Sequence, residues 1–348
     1  MLGYTNEPNG AYTDHPVIIF DDFTTASKYV DFDFKAKSSA MKMLTARAGA
    51  ADLRFVYERM QLIRYPIFDH KRRWIAEFSK LEIEAPELVE QTAIAEVAND
   101  LTDHIAALER LIAKKQAIKQ GMMQQLLTGR TRLPGFSEPW TETRLGTLGR
   151  CIRGVGYDPD TDLFSGDRPF TARLLRSNNV QNGRIDRSGL QFVHERRVSD
   201  AQLLKSGDIV ICMANGSRAL VGKAAMFEES NGGPRYTFGA FMGAFRTYSS
   251  VAVPRFVAEM MGTHAFRNWL DIILSGSSIN NLRPGDVEGF AAQMPGRAEQ
   301  LAIAEVLANA AAEIDILRNR LTKARAIKAG MMQQLLTGRT RLPVEVAS

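Results

Sequence analysis

The residues best suited to chemistry in this 348-residue chain are those that grip phosphate and read base edges. Arg173, Arg176, Asn178 and Asn179 stand together in TARLLRSNN. Guanidinium forks there fit phosphate or guanine, and the amides fit the hydrogen-bonding edge of adenine. Lys35, Lys37, Ser38 and Lys42 near the N-terminus could line a phosphate-facing edge, and HKRRW at 70–74 is a compact basic and aromatic patch. Taken singly, each of these residues is also what a solvated turn or helix surface carries.

Other chemistries lack their motifs. Gly146, Gly149, Gly154 and Gly156 have neither phosphate-loop nor complete dinucleotide spacing and read as turn residues. Asp158, Asp160 and Asp162 alternate in DPDTD without the downstream ligands of a calcium loop. The five histidines form no HExxH, and Cys151 has no evident basic partner by spacing. The two cysteines, Cys151 and Cys212, make no disulfide framework and suit a reducing compartment. The N-terminus lacks the form of a signal peptide and no apolar run is long enough to span a bilayer, so the expected location is the cytoplasm, with no membrane partner.

The elements that must position these groups are announced by a repeat. Shifted by 209 positions, residues 91–134 fall on 300–343 without a gap, and 26 of the 44 pairs are identical. GMMQQLLTGRTRLP recurs unchanged at 121–134 and 330–343. Ile94, Val97, Leu101, Ile105, Leu108 and Ile112 recur every three or four residues, as do Ile303, Val306, Ala310, Ile314, Leu317 and Leu321. Each copy is therefore expected to form a helix of roughly 35 residues, about 50 Å long, suited to a coiled pair. Gly129 and Gly338 are placed to end these helices, with Arg130 and Arg339 favourably near the carbonyl end.

Between the copies, 135–299 has domain size and a mixed α/β pattern. Lys205 to Asp208 reads as a turn into a buried strand at 209–213, and Asn215-Gly216 as a hairpin turn before Ala219 to Ala225. Phe256 to Met261 and Phe266 to Leu274 read as helices. Residues 1–90 offer strands at VIIF (17–20) and FDFK (32–35), then helix around 52–62. If residue 90 corresponds to 299, the period predicts a first unit extending about 75 residues upstream of Met1.

The net charge of +5 is modest, yet residues 109–134 hold six basic groups against one acid and 318–343 hold seven against none. Such blocks could meet phosphate, an acidic protein partner, or only solvent.

The chain resembles the specificity subunits of type I restriction-modification enzymes. The resemblance rests on VEQTAIAEVANDL (89–101) and AEQLAIAEVLANA (298–310), on KQGMMQQLLTGRTRL and KAGMMQQLLTGRTRL, and on LLRSNNVQNGRI (174–185), LKSGDIVICMANGS (204–217) and VGKAA (221–225). It implies an α/β fold in which mixed-sheet target recognition domains are joined by long antiparallel paired helices. The implied division is a partial first recognition domain at 1–90, a helical spacer at 91–134, a complete second domain at 135–299 and a C-terminal spacer at 300–348. On this reading Arg173, Arg176, Asn178, Asn179, Asn215, Ser217, Arg218, Lys223 and Arg235 surround one DNA recognition face.

The resemblance also implies partners: double-stranded DNA, two modification subunits that methylate adenine from S-adenosylmethionine, and restriction subunits driven by ATP with Mg2+. This chain itself would hold no cofactor and no metal and would do no catalysis. The departure from the family lies before GYTNEPNG, where full members carry another half-domain. A shortened gene product, a split subunit completed by another chain or by self-association, and a start placed too late are the three explanations. A coiled scaffold protein without DNA readout is the competing reading.

Overall fold

The computed structural model describes residues 6–7, 9–36, 40–63, 77–229, 232–276 and 279–343. In chain order its elements are β1 (Val17–Asp21), β2 (Ser27–Val30), β3 (Met41–Leu44), α1 (Leu53–Gln61) and the long α2 (Leu88–Leu126). There follow β4 (Thr141–Arg144), α3 (Leu145–Leu148), β5 (Gly149–Arg153), α4 (Pro159–Asp162), β6 (Leu163–Phe164), β7 (Thr171–Leu175), β8 (Val180–Gln181), β9 (Arg184–Ile185) and β10 (Gln191–His194). The remainder are β11 (Ile209–Cys212), β12 (Ala224–Met226), β13 (Tyr236–Phe238), β14 (Met242–Thr247), α5 (Pro254–Met261), α6 (His264–Ser275), α7 (Pro284–Glu288), β15 (Ala291–Met294) and the long α8 (Arg297–Leu336). The expected α/β class is present, with mixed sheets and long antiparallel paired helices of 39 and 40 residues.

The chain folds as two compact units, Met1–Lys114 with Asp315–Ser348, and Lys115–Ile314. In the first, the apolar run VIIF makes β1 the central strand, antiparallel to β2 and β3. Val17, Ile18 and Phe20 are fully buried. Asp52 caps α1 by accepting from the Phe55 N–H at 2.9 Å. Phe55 then packs against Ile94 and Ala98 of α2 and Met332, Leu335 and Leu336 of α8, so the start of one long helix meets the end of the other. The FDFK segment is not a strand; Phe34 makes only an isolated bridge to Tyr12. HKRRW lies outside the described residues.

The second unit holds the sheets β12-β11-β14-β5 and β13-β7-β10-β6, with β4 paired to β15 beside them. Its largest core joins Met123, Leu126 and Leu127 of the first repeat to Ile303, Ala304 and Leu307 of the second, with Phe256 and Phe266 from α5 and α6. The Asn215-Gly216 hairpin expectation is half correct. β11 and β12 do pair antiparallel, but Arg218–Leu220 forms a 3-10 turn between them and β12 begins only at Ala224. The Asn215 side chain accepts from the Ser217 N–H at 3.0 Å, which turns the chain gradually. Gly149 and Gly154 serve close packing: a Cβ would stand 2.4 Å from the Arg246 carbonyl oxygen and 2.0 Å from that of Gly239.

The two units repeat one internal plan. The order β2-β1-β3 matches β12-β11-β14, and α1 and α5 follow with the shared run Arg-Phe-Val. Gln91 donates to the Pro86 carbonyl at 2.8 Å and accepts from the Asp52 N–H at 3.0 Å. Gln300 does the same with Pro295 at 3.1 Å and Val253 at 3.0 Å. Lys328 pairs with Glu58 at 3.2 Å, and Lys119, its counterpart in the repeat, pairs with Glu259 at 3.1 Å. Faithful repetition of these side chains is thus explained by an anchor that each unit needs for itself. Among the described residues the first unit has no counterpart of the β13-β7-β10-β6 sheet.

Candidate nucleic-acid interface

At one end of the second unit three loops converge. β7 runs into the turn Ser177–Asn179, β11 into Asn215–Arg218, and α6 is followed by Ile279–Asn281. The Asn215 Nδ2 lies 3.5 Å from Ser177 Oγ, the Asn215 N–H donates to the Asn280 carbonyl at 3.3 Å, and Asn280 Nδ2 donates to the Gly216 carbonyl at 3.2 Å. Ala214 and Asn281 form a bridge beneath them. The loops are thus tied by their own polar groups while Asn178, Ser217 and Arg218 stay exposed. Fixed donors and acceptors on a rigid scaffold are what base-edge reading requires.

The expected residues separate into groups. Asn178 and Asn179 are neighbours with opposite fates. Asn179 is fully buried: its Oδ1 accepts from the Arg176 N–H at 2.9 Å, and its Nδ2 donates to the Asp186 and Ser188 carbonyls at 2.9 and 3.0 Å. Both N–H groups of that amide are donated and the side chain is fully buried, so its expected reading role is corrected to a loop-holding one. Arg176 is half-buried, and its Nε has no hydrogen-bond partner among the described residues. Lys223 is exposed, and its carbonyl accepts from the Cys212 N–H at 2.9 Å. Arg218 keeps an exposed ion pair with Asp271 at 3.5 Å.

Arg173 and Arg235 form a second group at the opposite side of the parallel β7 and β13 pair. Arg173 donates to Asp167 at 2.9 Å and to the Tyr236 hydroxyl at 3.1 Å, contacts that hold its guanidinium pKa above the ordinary value, the tyrosine bond foremost. Arg235 is exposed and pairs with Glu195 at 2.9 Å. In the first unit Lys35 pairs with Glu7 at 2.9 Å and Lys42 stands 4.0 Å from Asp22, while Lys37 lies outside the described residues.

Two features escaped the sequence reading. Ile279–Asn281 carried no signal of its own, being a short polar stretch after a helix. Phe241 sits in TFGAFMGAF, whose apolar character reads as core, yet it is exposed. The buried thiols are poor nucleophiles: burial pushes Cys151 up to about 12 and raises Cys212 as well. Asp162 of the DPDTD run accepts from the Asp158 N–H and from Arg196 and Arg197, so it braces a loop.

Each unit also carries a groove beside its long helices. In the first it is about 610 Å³ and lined by Glu58, Arg325, Lys328, Met332, Gln333 and Thr337. In the second it is about 210 Å³ and lined by Gln120, Met123, Gln124, Thr128, Thr263 and His264. Met332, Gln333 and Thr337 are the repeat counterparts of Met123, Gln124 and Thr128, and Gln120 replaces the smaller Ala329.

No family model matches the chain. Over 211 residues, 60% of this chain, it is 33% identical to the StySPI type I restriction enzyme specificity subunit of Salmonella potsdam. That match covers 43% of the relative, so the chain spans less than half its length. A longer match, 29% identical over 337 residues, covers 93% of this chain and 79% of the EcoR124I/EcoR124II specificity subunit of Escherichia coli. The S subunit of a type I restriction-modification system from M. genitalium shares the fold with a TM-score of 0.63 at 15% identity, covering 96% of this chain and 85% of that one.

Proposed function

We propose, from the premise that this chain belongs to the family of type I restriction-modification specificity subunits, that it selects a DNA sequence and directs partner subunits to methylate adenine or restrict the DNA there. The observation that carries the reading is the convergence of Asn178, Asn215, Ser217, Arg218 and Asn280 at one end of a braced double sheet. Arg218 and Lys223 supply phosphate contact, and the amides and hydroxyl supply base discrimination. Residues 135–299 act as the complete recognition domain and 1–90 as a partial one, with 91–134 and 300–348 as helical spacers.

Partner subunits hold the S-adenosylmethionine, ATP and Mg2+, and their access to the adenine requires base flipping. The related grooves suit two copies of one modification subunit, because Met332, Gln333 and Thr337 of one recur as Met123, Gln124 and Thr128 of the other. Restriction subunits join through that complex. The location is the cytoplasm; among the described residues no helix is long and apolar enough to cross a membrane.

The test is selection from a random duplex library by the chain assembled with its modification subunit, followed by binding of enriched and scrambled duplexes across a salt series. The expected result is enrichment of one sequence, bound more tightly than its scramble at every salt concentration. Equal affinity throughout overturns sequence recognition, whatever the salt dependence, since phosphate contact alone produces that. Stable partner binding without enrichment would establish the scaffold reading.

A further inference from the structure

Phe241 is 71% exposed, more than any other large apolar side chain among the described residues. It is held rigidly. Gly239–Met242 is a tight turn closed by the Met242 N–H donating to the Gly239 carbonyl at 2.8 Å, and the flanking Phe238 and Met242 are buried. The Phe241 carbonyl accepts from the N–H groups of both Met213 and Ala214, at 2.9 and 3.0 Å. Those bonds seat the ring's backbone directly before Asn215, and the Gly239 N–H donates to the Leu175 carbonyl at 2.9 Å, next to Arg176. An aromatic ring is therefore presented from a fixed turn at the point where the three polar loops meet.

We propose that Phe241 is an apolar wedge that stacks on or enters a base step next to the base pairs read by Asn215 and Asn280. The inference rests on the DNA-recognition reading of this face and names a further residue for it. Duplex DNA is the occupant that the surroundings fit. The backbone-anchored ring stands beside the half-buried Asn215 and the exposed amide, hydroxyl and cationic groups of Asn178, Ser217, Arg218 and Lys223, a mixture that matches stacked bases edged by hydrogen-bonding groups and phosphate. Side chains that part base steps are commonly Phe, Leu, Ile or Met on a fixed element, since a mobile ring would lose the stacking it gains. Opening a step also eases extrusion of a nearby base by a partner enzyme.

The experiment uses the chain assembled with its modification subunit and the enriched duplex carrying 2-aminopurine at successive positions. Wild type is expected to raise 2-aminopurine fluorescence at one step. Phe241→Ala is expected to abolish that signal and weaken binding about tenfold or more, at unchanged thermal stability and unchanged salt slope, because stacking releases no counterions. Phe241→Trp is expected to restore affinity. Unchanged affinity and fluorescence in Phe241→Ala overturns the wedge alone, provided wild type still prefers its sequence. Loss of that preference in wild type sinks the recognition reading and the wedge together. Loss of modification-subunit assembly in Phe241→Ala, with DNA binding intact, identifies the ring as a protein contact and overturns the wedge.

Discussion

Glu299 accepts two hydrogen bonds from Arg132, from Nε and Nη2 at 2.7 Å each, with its side chain 4% exposed and the Trp140 indole donating a third bond at 3.0 Å. The same pair recurs 209 residues apart as Glu90 and Arg341, where the Nε bond is 2.6 Å but the arginine is 67% exposed and, among the described residues, no indole joins it. The duplicated GRTRLP therefore has a reason within each unit: its second arginine closes the entry of the partner helix. The difference in exposure makes a prediction. Arg132→Met is expected to lower the thermal midpoint more than Arg341→Met, because the two carboxylates are equally enclosed but Arg132, 27% exposed against 67%, makes the less solvent-screened pair. Paired thermal melts check the order, and the reverse order would reject it.

Asn178 and Asn179 offer a cleaner separation of fold from recognition. Asn179→Leu removes three buried hydrogen bonds and is expected to destabilise by about 3 kcal/mol. Asn178→Ala, at an exposed position, is expected to stay within about 0.5 kcal/mol of wild type while reducing sequence preference. Urea unfolding and duplex binding of both variants measure this. Equal stability of the two would remove the structural role assigned to Asn179.

Salt dependence distinguishes phosphate contact from base reading. Arg218→Ala or Lys223→Ala is expected to weaken binding to all sequences alike and to flatten the log-log salt slope by about 0.9. Asn215→Ala is expected to relax preference at one base pair and leave the slope unchanged. Binding isotherms at several salt concentrations decide. A flattened slope in Asn215→Ala would place it on the backbone instead.

Asp162 ties acid sensitivity to one loop. The Asp158 N–H, then Arg196 and Arg197, favour its carboxylate and draw its pKa down to about 2. The folded protein thus holds the charged form more firmly than the unfolded chain. Its stabilisation is full above the ordinary carboxylate value and fades as pH falls from about 4 towards 2. Asp162→Asn is expected to lose stability at pH 6 and to show a flatter fall between pH 4 and 2. Urea midpoints across that range test the prediction, and parallel curves for the two proteins would contradict it.

Much of the scaffold was legible because its signals are local or self-referential. The 3.6-residue stripe from Ile94 to Ile112 and its copy mark helices without knowledge of what they touch. The apolar runs of β1 and β11 are local too. FDFK misled because Phe34 forms an isolated bridge to Tyr12 in place of a strand ladder, whereas the actual strands β2 and β3 are weakly patterned and exist by pairing with β1.

The interface was legible in residue type and not in role. Sequence alone determined the two helical copies, the α/β class and the wealth of arginine and asparagine between them, because periodicity and identity need no third dimension. Tertiary structure decided which groups face outward. It buried Asn179 by bringing the Asp186 and Ser188 carbonyls to its amide, tied Arg173 to Asp167 and Tyr236 and Arg235 to Glu195, and drew Asn280 against Asn215 from 65 positions away. It also turned Phe241, in an apolar run, out to solvent. The reason is physical: helix periodicity is set by near neighbours, but whether a polar group is available depends on acceptors and charges that only folding brings within hydrogen-bond reach.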